Sequence, residues 1–202
     1  MIVSFRDKGT AAVFSGKMPK GFPSDLGSVS RRELMALDAV AALEDLLVPP
    51  GNQLEALKAD RAGQHSIRVN DQWRLCFVWH DGNACQVGIA DDHQELRQMI
   101  RRDDLDSVDF SDVSTGETIP TITPGDVLHL DFMRPLKLSA RGLARDLGVA
   151  PDRVTEIING KRAITAETAI LLARRLGTTA RVWMNLQTAY DLEKAEQTLA
   201  HA

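Results

Sequence analysis

Cysteine is nearly missing from this chain: there are two in 202 residues, Cys76 and Cys85. Two thiols build no disulfide framework, and with five scattered histidines they offer no zinc-ligand spacing. Neither a metal nor a cofactor is therefore expected. The two cysteines flank a turn signal, so one disulfide between them is conceivable, but reduced, buried thiols are the expectation inside a cell. An apolar run of 18 residues is also lacking, which excludes a membrane-spanning helix. The opening MIVSFRDKGT has no long apolar stretch after its first charges, so no secretory signal is expected and the chain reads as cytoplasmic. There is no internal repeat and no strong excess of charge of one sign, the net charge being −4. What remains, 44% hydrophobic and 26% charged, is an ordinary globular composition long enough for one large or two small domains.

The charge is unevenly spread. Residues 1–93 carry 10 basic and 12 acidic side chains (net −2), residues 94–125 carry 3 and 7 (net −4), and residues 126–202 carry 11 and 9 (net +2). The acidic middle, RRDDLDSVDFSDVSTGETIPTITPGD from Arg101, is rich in Ser, Thr, Gly and Pro and has little periodicity, which reads as a linker over residues 94–123. Residues 92–100 are compatible with a short helical extension of what precedes.

The most informative stretch is LSARGLARDLGVAPDRVTEIIN, residues 138–159. Ser139 can cap a helix by accepting from a first-turn amide. Leu143, Ala144 and Leu147 share one helical face. Gly148 suits a left-handed helix end, Val149 fills the corner, and Pro151 opens a second helix at the position where a missing amide costs nothing. That helix buries Val154, Ile157 and Ile158 and turns Asp152, Arg153, Thr155 and Glu156 outward; Asn159-Gly160 closes it. Two short helices across a tight turn have the spacing of a helix-turn-helix that reads a DNA major groove, and also that of a plain helical hairpin. Lys161 and Arg162 suit the helix C-terminus and can reach phosphate. A third amphipathic helix, residues 165–176, ends at Gly177.

Earlier in the chain, residues 28–46 predict an amphipathic helix, with Leu34, Leu37, Val40, Ala41 and Leu43 forming its apolar stripe. Pro49-Pro50-Gly51-Asn52 breaks the chain. Four strands are predicted at 54–57, 64–69, 73–79 and 85–90, with turns at Asn70-Asp71 and at 80–83. The fold class is therefore α+β over residues 1–93, an antiparallel sheet with flanking helices, followed after the linker by an all-α domain at 124–202.

Both halves resemble known families. The run GLARDLGVAPDRVTEIINGKRAITAETAILLARRLGTTARVWMNLQTAYDL resembles the Cro/C1-type (XRE, lambda repressor-like) repressors of the HigA antitoxin group. The resemblance spans roughly residues 125–192, WMNLQTAYDL being its most group-specific part. Pro124-Gly125-Asp126 is similar to the group's opening, where the first helix begins at 126–132. The segments SFRDKGT, LMALDAV, PPGNQLEALKADRAGQHSIRVNDQWRLCFVW and ADDH resemble HigB toxins of the RelE-like group, over nearly all of residues 1–93. That resemblance implies a small twisted sheet flanked by helices that cuts messenger RNA, usually on the ribosome. Toxin and antitoxin there are normally separate adjacent genes, toxin first; here the same order lies within one polypeptide.

Metal-free RNA cleavage needs a base for the 2′-hydroxyl, cations for the phosphorane and an acid for the leaving oxygen. Glu55, Lys58, Arg61, Arg74, Asp91 and His93 are the candidates. His65 and Arg68 are chemically suitable too, but strand alternation puts them on opposite faces, with His65 beside apolar Ile67 and Val69. Arg74, amid an apolar strand, is expected to face a polar cleft, since an unpaired charge there is costly. Three features depart from the toxins: Asp92 stands where they typically have tyrosine, Glu55 where some have histidine, and the half is net acidic. Two alternatives stay open. One is an autorepressor that restrains an attached, metal-independent, ribosome-dependent endoribonuclease. The other is a purely transcriptional regulator whose inactive toxin fold serves dimerisation. The expected partners are operator DNA, read by Asp152, Arg153, Thr155, Glu156 and Asn159 with phosphate on Ser139, Lys161 and Arg162, then messenger RNA or the ribosome, and a second copy through the C-terminal domain; no membrane is expected.

Overall fold

The computed structural model describes residues 1–91 and 100–200, with the backbone alone for Asp60 and Asp91. The chain falls into two units, Met1–Leu46 with Asn52–Pro120, and Leu47–Gly51 with Thr121–Ala202.

The first unit opens with β1 (Ser4–Phe5) and α1 (Lys8–Phe14). Asp7 starts α1, its carboxylate accepting from the Thr10 amide at 2.7 Å. Then come β2 (Lys17–Pro19) and α2 (Ser24–Ala39), which buries Leu26, Leu34 and Leu37. The helix expected over 28–46 thus begins earlier and stops sooner. Asp45 explains the stop: its carboxylate accepts from the amides of Ala41 and Ala42 at 3.1 Å each, so Leu43–Leu47 winds as a separate 3-10 turn.

The expected meander follows as β3 (Glu55–Ala56), β4 (Gln64–Arg68), β5 (Trp73–His80) and β6 (Asn83–Asp91). Each pairs antiparallel with the next. Asp81 and Gly82, with φ of 49° and 75°, make the β5–β6 turn in the left-handed form that matches strand twist. Two strands not expected from sequence complete the sheet. β1 lies parallel to β6, Phe5 opposite Val87, and β7 (Ile100–Arg101) lies antiparallel to β1. The order is β3-β4-β5-β6-β1-β7. Leu75, Cys76 and Phe77 are consecutive and at most 2% exposed, so both faces of β5 are covered at its middle. Cys76 is buried and Cys85 half-buried, both free thiols.

The stretch read as a linker behaves differently over its described part. Residues 92–99, including most of the expected helical extension, lie outside the described residues. From Ile100 to Pro120 the chain belongs to the first unit. β8 (Ser114–Thr118) pairs antiparallel with β2, Phe110 and Ile119 are 3% exposed, and Arg31 donates to the carbonyls of Ile119 and Pro120 at 3.0 and 2.7 Å. A polar composition buries little through its side chains. Here the backbone ladder and two apolar anchors supply the attachment instead.

The second unit is all α. Thr123 and Asp126 cap α3 (Pro124–Val127) reciprocally, and the chain continues into a π-helical stretch, Leu128–Met133. α4 (Ala140–Leu147), α5 (Pro151–Ile158), α6 (Ala166–Leu176) and α7 (Ala180–Ala200) follow. Trp183 anchors the core: it is fully buried, its ring centroid is 5.2 Å from that of Phe132, and Nε1 donates to Thr178 Oγ1 at 2.8 Å. No helix among the described residues is long and apolar enough to cross a membrane.

Candidate functional sites

On the sheet, Arg74 collects the polar groups. Its register partner on β4 is Arg68, while Ser66 stands between Glu55 on β3 and Cys76 on β5. Alternation therefore puts Glu55, Ser66 and Arg74 on one face. Arg74 Nε donates to Ser66 Oγ at 2.9 Å, one terminal nitrogen donates to the Gln53 carbonyl at 3.2 Å, and that nitrogen is 3.1 Å from a Glu55 carboxylate oxygen. Ser66 is fully buried and Glu55 is 60% exposed in its side chain. The result is a solvent-facing carboxylate with a guanidinium anchored beside it.

The other candidates are less assembled. Lys58 is exposed just before a short 3-10 turn (Ala59–Arg61). Arg61 donates through Nε to Gln64 at 3.4 Å, and one of its terminal nitrogens is buried without a partner among the described residues. Register sets Ala90 opposite Arg74, and Asp91 opposite Trp73. His93 lies outside the described residues. Arg68 is tied to the β4–β5 turn through Asp71 and the Asn70 carbonyl. His65 stacks on Phe77 with centroids 5.9 Å apart, on the apolar face. Ser66 and Gln53 are the groups that sequence reasoning missed. Ser66 carried a signal, as the small polar residue on the same alternation face as Arg74.

The helix pair has the geometry expected of it except at Ile158, which is half-buried instead of buried. Ser139 Oγ accepts from the Gly142 amide at 3.0 Å, and Gly148 ends α4 at φ 67°, a conformation cheap for glycine alone. Val154 and Ile157 are buried, whereas Asp152, Thr155, Glu156 and Asn159 follow one another at helical spacing on the outer side of α5. Several of these side chains hold weak intrachain partners. Arg153 lies 3.6 Å from Glu167, Arg162 Nε donates to Glu156 at 2.6 Å, and Thr155 Oγ1 donates back to the Pro151 carbonyl at 3.2 Å. Such exposed pairs are worth about 0–1 kcal/mol, so an incoming ligand can displace them. Lys161 is exposed. Arg134, Lys137 and Arg141, exposed and without partners among the described residues, gather ahead of and within α4. They were not singled out from sequence, although three cations within eight residues of the first helix are a readable signal.

Residues 3–93 match the family of RelE-like toxins of the type II toxin-antitoxin system HigB. Toxin HigB-1 of Vibrio cholerae is 41% identical over 85 residues, 42% of this chain and 90% of that protein. The chain belongs to the HigB-like toxins. Behind the HigB-like part it carries a second, helix-turn-helix domain, matched over residues 131–183. Virulence-associated protein I of Dichelobacter nodosus is 48% identical over 79 residues, 39% of this chain and 73% of the relative. Antitoxin HigA-1 of Vibrio cholerae is 38% identical over 71 residues, 35% of this chain and 67% of the relative. The HigB-like match stops at residue 93, so β7 and β8 are additions to the matched region. Among the described residues no three His, Cys, Asp or Glu side chains gather as a metal site.

Proposed function

We propose that this chain is an autorepressor in which the helix-turn-helix unit binds an inverted-repeat operator as a homodimer and restrains the attached HigB-like unit. That unit would cleave messenger RNA on the ribosome without metal. The observation that carries the reading is the joining of a HigB-like toxin domain to an antitoxin-like helix-turn-helix in one polypeptide, toxin first. A covalent link raises the local concentration of the restraining domain without any new contact. Arg153 and Thr155 are assigned to base edges and Glu156 to a cytosine amine, with Lys161, Arg162, Arg134, Lys137 and Arg141 on phosphate. In the HigB-like unit Glu55 is assigned as the base and Arg74 as the group that holds the phosphorane charge, with Lys58, Arg61, Asp91 and His93 as further members of the site.

The regulator without nuclease activity is favoured by two local observations. Arg74 already serves three acceptors, Ser66, Gln53 and Glu55, and Asp92 puts negative charge where the toxins typically carry an aromatic ring. Two measurements separate the readings. The full chain should protect an inverted repeat in the DNA upstream of its own coding sequence; retention no better than on unrelated DNA sinks the repressor. A specific protease site inserted between Pro120 and Thr121 then tests the enzyme. Cleavage of messenger RNA on translating ribosomes that appears only after the cut supports restraint, and intact messages after complete cutting leave the regulator alone standing.

A further inference from the structure

The stretch between the two family matches belongs to neither of them. The HigB-like match ends at residue 93 and the helix-turn-helix match begins at 131, yet residues 100–120 pack within the first unit. They are attached as a bound peptide is, by strand addition at sheet edges with buried side-chain anchors. β7 adds to β1, with Arg101 opposite Ser4, and β8 adds to β2, with Thr118 opposite Lys17 and Ser114 opposite Pro19. Beyond the ladders, the Lys20 amide donates to the Val113 carbonyl at 2.6 Å and the Ile119 amide to the Gly16 carbonyl at 2.7 Å. Arg102 pairs with Asp38 of α2 near one end of the segment. Arg31, 3% exposed, holds the carbonyls of Ile119 and Pro120 at the other.

The charges of the two parts are complementary. Residues 101–120 carry 2 basic and 6 acidic side chains (net −4), and residues 1–20 carry 4 and 1 (net +3). Contacts follow these sums. Lys8 donates to the Asp112 carboxylate at 2.6 Å, Lys20 donates to the carbonyls of Ser111 and Asp112 at 3.1 Å each, and Lys17 stands 4.4 Å from the centre of the Phe110 ring.

The segment also borders the candidate site. A cavity of about 540 Å³ beside α1 is lined by Ile100, Asp112 and Val113 of the segment and by Arg6 and Ala90 of the matched region. Ala90 is the register partner of Arg74. Arg6 lies over Gly88, where an added Cβ would sit 2.9 Å from Arg6 Cδ, and Gly88 is opposite Cys76, two residues along β5 from Arg74. Arg6 therefore shares the sheet face of Glu55, Ser66 and Arg74, and the acidic segment meets that face at Arg6.

We infer that residues 100–120 are a peptide bound in cis on the α1–β2 side of the HigB-like unit, where they act as a second brake beside the helix-turn-helix unit. The brake is electrostatic. The closed segment takes up Lys8, Lys17 and Lys20 and sets negative charge next to the Arg74 face, which disfavours a polyanionic substrate. A substrate then finds a competent face only in the fraction of molecules whose segment is open, and its apparent affinity is reduced by that fraction. The inference rests on reading the HigB-like unit as RNA-directed.

The test uses the full chain with the protease site between Pro120 and Thr121, as it stands and with Asp109→Asn, Phe110→Ala and Asp112→Asn combined. Asp109→Asn with Asp112→Asn serves if the triple variant does not fold. Opening is read without substrate, as hydrogen exchange of the Lys20 amide and acetylation of Lys8 and Lys17. The variant is expected to raise both rates about tenfold and, after the cut, to cleave message about tenfold faster than the parent. A synthetic peptide of residues 100–120 added in trans should restore the parental rates, and a scrambled peptide of the same composition should not. Equal rescue by the two peptides, or unchanged exchange and acetylation in the variant, overturns the docked peptide. An opened segment with cleavage at the parental rate overturns the brake and leaves the nuclease standing. No cleavage by either form, with the segment open, removes the nuclease reading and the brake with it.

Discussion

The two units build their functional surfaces by opposite means. In the second, Arg153, Thr155 and Glu156 come from one eight-residue helix, α5, and their side chains hold local partners such as Glu156–Arg162. In the first, Glu55, Ser66 and Arg74 come from three strands and meet only because β3, β4 and β5 pair in one register. A surface carried by one helix is independent of its neighbours once the helix is packed. A surface assembled across strands is itself part of the fold. Substitutions at the two should therefore separate binding from stability in one unit and not in the other.

The largest effect should come from removing what packs the helix. Trp183 is fully buried against Phe132, and its truncation leaves a void and strands the Thr178 hydroxyl. Trp183→Ala is expected to cost about 3–5 kcal/mol. Chemical denaturation should show this loss in the helical transition while the sheet transition holds. Equal loss in both would mean that the two units do not unfold separately, and the contrast would weaken.

Arg74→Ala comes next. It leaves buried Ser66 Oγ and the Gln53 carbonyl without their donor, a loss of about 1–3 kcal/mol for an unsatisfied buried group. A variant that melts like the parent would show that the site is not built into the sheet. Arg153→Ala, the same chemical change on α5, should behave in the other way. Stability is expected to stay within about 0.5 kcal/mol, as for ordinary surface changes. Operator affinity should fall by about 1–3 kcal/mol, roughly 5- to 150-fold, if Arg153 reads a base edge. Unchanged affinity across operator variants would move base reading to Thr155 and Glu156.

The same contrast decides what could be read from sequence. Every cue of the helix pair is local: Ser139 caps within three residues, Gly148 turns by itself, and Pro151 opens the next helix in place. β1 and β7 have two residues each, too few for any alternation, and exist because β6 and then β1 offer a free edge. Residues 100–120 read as a connector because their attachment is made by backbone pairing and by carbonyls facing Arg31, neither of which composition encodes. Glu55 and Arg74 were each recognisable as chemically suitable. That they touch, and through which serine, follows from register alone.

The smallest effect concerns that attachment. Lys8 on α1 donates to Asp112, just ahead of β8, and this bond holds the Asp112 carboxyl below its ordinary pKa. A lowered acid favours the folded state while it is ionised. Its contribution is fully present above the ordinary carboxylate range and fades as pH falls through the lowered value. Asp112 is exposed at 63% of its side chain, so the effect is slight at neutral pH and is further screened by salt. Lys8→Gln should therefore melt marginally below the parent at neutral pH in low salt, and the two curves should converge once Asp112 is protonated. A difference that persists at acid pH would assign the role of Lys8 to the packing of its stem instead of its charge. Residues 100–120 would then be held by the β2–β8 ladder, the Arg31 bonds and the buried side chains of Phe110 and Ile119.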